Sequence, residues 1–218
     1  IAVHADTKGK IKAEEFKYFK EEDYLLCKGN PQIDYKDYII NAELIKYYRD
    51  EEKAIMTGNV VVHQNKTRIT GSKIVAYLKD DKFIIDGNVF IHYVKEEDKE
   101  DNKDEEVIEI KANHVDYETG EYDSMIATGD VVMDVEDKTI YSQYLNYKGK
   151  EEVVIARKEV EVLSEDEETI NSDEFTLYLE GEEEGFEAQG QVELEFFIED
   201  EDEKKDDDKE AKNNKKGA

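Results

Sequence analysis

Several residue types are scarce in this chain, and each scarcity excludes a class of protein. Only one of its 218 residues is a cysteine, Cys27, which excludes an intrachain disulfide. No apolar run approaches the roughly 20 residues that a membrane-spanning helix needs. The chain also lacks the motifs Gly-x-Ser-x-Gly and His-Glu-x-x-His and has no phosphate-binding loop. We therefore predict a protein that is not an enzyme.

Positive charge is scarce as well, because 58 acidic residues against 30 lysines and arginines leave a formal net charge of −28. Such a surface repels nucleic acid, so we predict no nucleic-acid partner. The acidic residues collect in runs such as residues 165–168, which are typical of solvated turns. We interpret the charge as that of a highly soluble or salt-adapted surface, with an electrostatic docking face as the alternative.

Tryptophan is absent and proline occurs once, whereas 14 tyrosines and many β-branched residues favour strands. The dominant feature is a repeat, written six times at intervals of about 30 residues. Its first half reads Ile-x-small, as in residues 40–42 (INA), with an aromatic residue seven or eight positions after the isoleucine. Its second half reads Gly-x-Val-x-apolar, as in residues 58–60 (GNV). A repeat of this period indicates stacked supersecondary units, none of which buries its apolar face alone.

Each unit has the pattern of one long hairpin. In the second unit, Ile40 and Ala42 alternate with polar residues, which predicts a half-buried strand. The charged residues 49–53 predict a turn, and residues 54–63 a return strand. Gly58 indicates a bulge or bend, because an interior glycine weakens a flat strand. Six units predict an all-β fold, a solenoid-like stack of about six hairpins and twelve antiparallel strands.

Comparison of the copies indicates which side of each strand faces inward. Alternate residues after the repeated glycine are apolar in every legible copy, whereas those between them include His63, His92 and Asp134. A stack like this either closes over a dry core or stays open along one seam as an apolar groove, a natural container for acyl chains. The residues predicted to line the interior are Ile40, Ala42, Val60, Val62, Ile69, Val89, Ile91, Ile110, Val131, Met133, Ile140, Val160 and Val162.

The repeats define one elongated domain, residues 11–198. Residues 1–10 form a lead-in that resembles the end of a signal peptide, with an Ala-x-Ala-like site after Ala5. Residues 199–218 are rich in Lys, Asp and Glu, and their low apolar content predicts a disordered tail. The acidic insert 95–106 predicts a protruding loop.

Two histidines, His63 and His92, stand five residues after a repeated glycine. No third histidine or cysteine falls in phase with them, so we predict surface residues and no metal site. The acid-rich turns lack the glycine and aspartate spacing of calcium-binding β-rolls, and we predict no cofactor. Cys27, beside two leucines, is interpreted as a buried apolar residue.

The return strands resemble the periodic signature of OstA-like proteins, the lipopolysaccharide-transport bridge proteins of LptA and LptC type. The resemblance rests on residues 54–62 (AIMTGNVVV), 83–91 (FIIDGNVFI) and 125–133 (MIATGDVVM), and it extends over residues 11–198. It implies an antiparallel β-jelly roll, described as a twisted taco, whose apolar groove carries lipid A acyl chains across the periplasm. It also implies members that join end to end by pairing exposed edge strands.

The resemblance thus implies non-enzymatic binding and transport of lipopolysaccharide or a similar amphiphile by a protein exported to the periplasm or cell envelope. The implied partners are that lipid and other Lpt-type proteins or a second copy of the chain. From the residues alone, a structural β-solenoid scaffold or adhesive stalk with a closed core stays open as the alternative.

The two ends of the stack are the predicted assembly edges. The last repeat ends in Val192, Leu194 and Phe196, which predict an apolar edge strand. Pro31 in the first repeat cannot donate to a strand ladder, so we expect it to blunt part of the other edge.

Overall fold

The computed structural model describes residues 9–94, 107–120, 122–165, 168–179 and 185–196. In these residues every regular element is a β-strand, and all the strands pair antiparallel in one open sheet. None of the described residues belongs to a helix with the length and hydropathy that a membrane crossing requires. The strands are β1 (Lys10–Lys12), β2 (Glu15–Phe19), β3 (Tyr24–Lys28), β4 (Gln32–Tyr35), β5 (Tyr38–Asn41), β6 (Leu44–Tyr48), β7 (Lys53–Gln64), β8 (Thr67–Tyr77), β9 (Lys82–Val94), β10 (Val107–Glu118), β11 (Ser124–Val135), β12 (Lys138–Lys148), β13 (Val153–Ser164), β14 (Thr169–Tyr178), β15 (Gly185–Gln189) and β16 (Glu193–Glu195).

These sixteen strands amount to twelve passes of the chain across the sheet, two for each repeat. Strands β7 to β14 are each one continuous pass, whereas four passes are split into the pairs β1/β2, β3/β4, β5/β6 and β15/β16. Consecutive passes are neighbours in the sheet, as expected of stacked hairpins. The predicted all-β fold, an antiparallel jelly roll built from six hairpins, is confirmed.

A line of β-bulges crosses the middle of the passes and folds the sheet in two. Between β7 and β8 the pairing skips from Thr57 to Val60, which leaves Gly58 and Asn59 opposite a single residue. Both have left-handed backbone conformations, with φ of 79° and 44°, and the same pair recurs in the other return passes that carry Gly-Asn or Gly-Asp. Because a bulge bends and twists its strand, aligned bulges crease the whole sheet.

The crease separates two half-sheets that face each other. The first half-sheet contains β2, β3, β6, β15 and the adjoining parts of the long strands, such as residues 53–57 of β7. The second contains β1, β4, β5, β16 and the remaining parts, such as residues 60–64 of β7. Side chains that point inward from both half-sheets form one core.

The polar residue after the small residue of each repeat caps the crease. The Asn59 side chain donates a hydrogen bond to the Glu43 carboxylate (2.7 Å), and the Glu43 N–H binds the carbonyls of Thr57 and Gly58. A Cβ at Gly58 would collide with the Glu43 side chain, so close approach as well as positive φ requires glycine. Ser72 has the corresponding place beside Gly87, whose carbonyl accepts its hydroxyl proton (3.1 Å).

The expectation that Pro31 blunts an edge strand is wrong. Pro31 is buried at the crease between β3 and β4, in the position that Val60 has in the next unit, and its carbonyl accepts a hydrogen bond from Ala42. The edge strands on that side are β1 and β2, which form the first pass of the first repeat. Pro31 belongs to the second pass, which is paired on both sides. The predicted loop 95–106 and tail 199–218 lie outside the described residues.

The fifth unit keeps the crease without glycine. Lys158 and Glu159 stand where the other units have Gly-Asn, and both have positive φ, 66° and 55°. The pairing skips from Arg157 to Val160 as in the other units. An L-residue in this conformation costs about 1–2 kcal/mol, so this bulge is imposed by its neighbours in the sheet rather than by local preference.

We predict that Lys158→Gly stabilises the protein by about 0.5–1 kcal/mol, because relief of the left-handed conformation exceeds the entropy that glycine adds to the unfolded chain. Thermal unfolding should show a midpoint about 2 °C higher. Lys111→Gly is the matched control, since Lys111 is an equally exposed strand lysine without positive φ. That variant should be destabilised, and loss of stability in both variants would contradict the prediction.

Candidate functional site

All thirteen residues predicted to line the interior lie in one continuous apolar cluster. Their exposure ranges from 0 to 7%, with Ala42 the most exposed. Among the described residues, the buried polar side chains are Thr67, Ser142 and Ser172, and no charged side chain is buried. The structure therefore brings the predicted residues together, in an interior filled by its own side chains.

The predicted stripe covers only one wall of this interior. The opposite wall belongs to the first half-sheet. In the passes that begin with the repeated isoleucine, the strand alternation shifts by one residue at the crease, whereas in the return passes it is preserved. Counted from the repeated isoleucine, inward residues stand at positions 0, +2, +5 and +7, as Ile69, Gly71, Ile74 and Ala76 do. The residues of this second wall include Ala54, Met56, Ile74, Ile85, Val115, Met125, Leu145, Ala156 and Phe175.

The same count separates two kinds of repeated aromatic residue. Tyr117 and Tyr147 follow the repeated isoleucine by seven positions and are buried in the core. Tyr48 and Tyr77 follow it by eight and are half-buried on the outer face, where the Lys53 ammonium lies over both rings at 5.2 and 5.8 Å. The spacing in the sequence thus carried the information about which aromatic side chains enter the interior.

Folding at the crease brings the turns of the two half-sheets together along a line that we call the seam. On one side lies rim one, formed by turns 49–52, 79–81 and 149–152 with Thr119 and Gly120. On the other lies rim two, formed by turns 36–37, 65–66 and 136–137 with the end of β9. Backbone hydrogen bonds join neighbouring turns within a rim, as between the Thr119 N–H and the Asp81 carbonyl (2.9 Å).

Side chains close the seam near the first units. The Lys36 ammonium binds both carboxylate oxygens of Asp81, at 2.8 and 2.9 Å, and this contact raises the pKa of the lysine. The Tyr38 hydroxyl lies 2.5 Å from the Thr119 hydroxyl, and its ring packs against Phe83 with centroids 5.3 Å apart. Burial raises the pKa of Tyr38 to about 12, so the phenol stays protonated.

A cavity of about 440 Å³ lies farther along the seam. Residues 64–67, Tyr93 and Val94 line it from rim two, and Gly120, Asp123 and Gly149 from rim one. Below it, Tyr93 and Tyr147 approach with ring centroids 6.2 Å apart. The Tyr117 hydroxyl donates to Asp123 (3.0 Å), and burial raises the pKa of that carboxyl. The cavity is polar at its mouth and aromatic at its floor.

The outward histidines have structural partners. His63 of β7 and His92 of β9 are the cross-strand neighbours of Arg68 on the two sides of β8. The His92 ring also forms a hydrogen bond with the Glu109 carboxylate (3.0 Å). A bond to Asp86 (2.7 Å) raises the pKa of His114. Within the described ranges, no group of three His, Cys, Asp or Glu side chains has an arrangement that holds a metal ion. Cys27 is fully buried, and its burial raises the pKa of the thiol to about 11.

Apolar side chains are left uncovered at both ends of the sheet. The predicted assembly residues Val192, Leu194 and Phe196 are 50, 52 and 57% exposed, around the short strand β16. At the opposite edge, Phe16 and Tyr18 of β2 are about as exposed. Because Phe16 and Leu194 lie opposite buried partners, Cys27 and Ile170, they continue the inner face beyond the last covered pass.

The sequence matches the model of a family described as "LptA/(LptD N-terminal domain) LPS transport protein" over residues 40–153, more than half of the chain. This region contains every predicted lining residue except Val160 and Val162. No curated protein matches the sequence.

Among solved structures, the chain is similar to the crystal structure of LptH from Pseudomonas aeruginosa, the LptA homologous periplasmic component of the conserved lipopolysaccharide transport device. The two chains are 10% identical, and the alignment covers 88% of this chain and 96% of that chain. The TM-score is 0.29, too low for this likeness to support a statement about fold or function.

The family match confirms the resemblance carried by the Gly-Asn-Val strands. The prediction of a protein that is not an enzyme is confirmed with it, since the family is a non-enzymatic transport component. The chain therefore belongs to the LptA/LptD N-terminal-domain family of lipopolysaccharide transport proteins.

Proposed function

We propose that the protein binds lipopolysaccharide or a related amphiphile and carries it with the acyl chains held between the two half-sheets. Family membership supports lipopolysaccharide transport as its role, in the periplasm or cell envelope. The headgroup stays outside, because a charged group without a partner is costly to bury. Since the chain carries a net charge of −28, an anionic headgroup approaches only where salt or divalent cations screen the repulsion.

The observation that carries this proposal is the continuity of the apolar interior. The cluster of buried side chains extends from Cys27 near one end of the sheet to Leu179 near the other, without a buried charge among the described residues. An acyl chain between the half-sheets would exchange protein contacts for lipid contacts while both stay out of water. Each Å² of apolar surface removed from water contributes about 25 cal/mol to the binding free energy, so a long acyl chain binds favourably in such a site.

A structural scaffold with a closed core is the second candidate, and a specific observation favours it. The lining residues are at most 7% exposed, so the protein fills its own interior when no lipid is present. A scaffold would keep this state permanently, whereas a carrier opens. The two candidates therefore differ in whether the folded protein admits an acyl chain.

We further propose that copies, or related Lpt-type proteins, join end to end by strand pairing. If β1 of one copy lies antiparallel to β16 of the next, Ile11 comes opposite Leu194 on the inner face. Lys10 and Lys12 then come opposite Glu195 and Glu193 on the outer face. Cross-strand pairs of this kind stabilise a sheet, and the pairing would cover the exposed apolar residues at both ends.

We predict that lipid is labelled from the inside of the protein only. The three methionines, Met56, Met125 and Met133, are all buried, with exposures of 0 to 1%. Photo-methionine has nearly the shape of methionine, so it places cross-linking groups in the interior without opening a cavity. Irradiation after incubation with purified lipopolysaccharide should attach lipid to all three positions, as detected by mass spectrometry.

The control for this experiment moves the cross-linker to the outer face. The variant replaces all three methionines by leucine and adds Val132→Met. Its one photo-methionine is then adjacent to position 133 in the sequence but faces the outside of the sheet. This variant should melt cooperatively and give little labelled lipid. Equal labelling from both faces, or absence of labelling from the inside, would contradict lipid carriage.

We predict that self-association depends on the backbone of β16 and increases with salt, because like net charge opposes it at low ionic strength. In an antiparallel edge strand, alternate N–H groups point away from the neighbouring strand. Of the two variants Glu193→Pro and Leu194→Pro, one therefore removes an outward donor and should abolish association in sedimentation velocity. Leu194→Thr, the control for lost apolar area, should weaken association without abolishing it. A monomer at every salt and protein concentration would contradict self-association.

A further inference from the structure

The sealed interior requires a way in for any lipid that it holds. Between the two ends of the sheet, two kinds of boundary enclose it: the hydrogen-bonded ladders between neighbouring passes, and the seam between the rims. Separating two passes breaks a whole row of backbone hydrogen bonds at once, whereas the described backbone bonds at the seam run along each rim rather than across it. The seam is therefore the boundary that opens with the smallest loss of structure.

The described contacts across the seam near the first units are few and made by side chains. We call the Lys36–Asp81 ion pair and the Tyr38–Thr119 hydrogen bond the latch. The side chains of the ion pair are 34% and 30% exposed, and ion pairs near the surface contribute little to stability. Tyr38 is buried, and its ring adds an apolar contact with Phe83 of the other half-sheet.

The latch is carried by a hairpin whose strands do not continue across the crease into the other half-sheet. Lys36 and Tyr38 belong to the hairpin of β4 and β5, Gln32–Asn41. Both of its strands are interrupted at the crease, on one side by Gly29 and Asn30, which have positive φ. Strands β7 to β14 instead run through the crease without a break. The hairpin thus combines a hinge at the crease with a releasable contact at the rim.

The seam cavity adjoins this hairpin, since Asp37 is among the residues that line it. Its mouth is polar and its floor is formed by aromatic rings that belong to the core. This gradient from polar to apolar matches an amphiphile, with the headgroup at the rims and the chain directed inward.

We propose that an acyl chain enters sideways through the seam, when the β4–β5 hairpin swings at the crease and the latch breaks. This route rests on the proposed lipid carriage. The open state is a minor population in the absence of lipid, and lipid shifts the equilibrium by binding that state. The ladder between β5 and β7, from Tyr38–Gln64 to Asn41–Val61, stays paired because residues 60–64 of β7 bend with the hairpin at the bulge of the crease.

A reversible cross-link across the seam tests the route. Lys36→Cys and Asp81→Cys, in a Cys27→Ala background, are joined with a short bis-methanethiosulfonate reagent that a reductant removes. The matched control, Asp50→Cys and Asp80→Cys, joins two exposed turns of rim one and leaves the seam free. Loading of purified lipopolysaccharide is followed through photo-methionine at the three buried methionines.

We expect the cross-seam link to slow loading at least tenfold, and reductant to restore the rate, while the control link has no effect. Loading of the linked protein at the unlinked rate would overturn the seam route and indicate passage through the open ends of the sheet. Absence of labelling in the unlinked protein would overturn lipid carriage itself, so the two failures are distinguishable.

Weakening the latch gives an independent readout. Lys36→Gln removes the ion pair, and Lys79→Gln makes the same substitution at an exposed position on rim one outside the latch. We expect Lys36→Gln to load lipopolysaccharide several-fold faster, with cooperative unfolding retained, and Lys79→Gln to load at the original rate. Equal rates in the two variants would exclude the Lys36–Asp81 ion pair as a contact that limits access.

Discussion

A pair of left-handed backbone conformations in the middle of the return passes is the constraint on which the rest of this structure depends. Without it, a chain of six hairpins would form a flat sheet with one face in water. With it, the sheet folds along the crease and both inner faces become a core. The two residues of the bulge preserve the alternation within the return pass, so Met56 before the crease and Val60 after it both point inward. Gly-Asn recurs because glycine and asparagine tolerate this conformation best.

The crease also explains why polar side chains follow the small residue of each repeat. Glu43 and Ser72 bind the backbone or side chains of the neighbouring bulge, where the strand ladder is locally interrupted. Lys158 and Glu159 show how strongly this arrangement is enforced, because the bulge persists where the local sequence opposes it. Ladders on both sides outweigh the strain of one bulge, so the stack tolerates a degenerate unit.

The physical difference between a lipid carrier and a closed scaffold lies in the seam. Both would have the same crease, the same apolar walls and the same acidic exterior. They differ in the free energy needed to separate the two rims, which depends on contacts such as those of Lys36 and Tyr38. Family membership favours the carrier, and the filled interior is then its resting state. Acidic turns along the rims keep such a protein soluble while its apolar surface stays covered.

Alternation and glycine spacing are local signals, so the repeat, the hairpins, the number of passes and one wall of the interior could be predicted from the amino-acid sequence. The spacing between the repeated isoleucine and the aromatic residue also distinguishes Tyr117, which is buried, from Tyr48, which lies on the outer face. This difference of seven against eight residues was not used in the prediction. The second wall, the seam and the interior position of Pro31 could not be predicted and became apparent in the folded chain. Those features depend on how far the sheet folds at the crease and which turns then meet. That distance is set by packing between residues far apart in the chain, such as Tyr38 and Thr119, for which no local pattern exists.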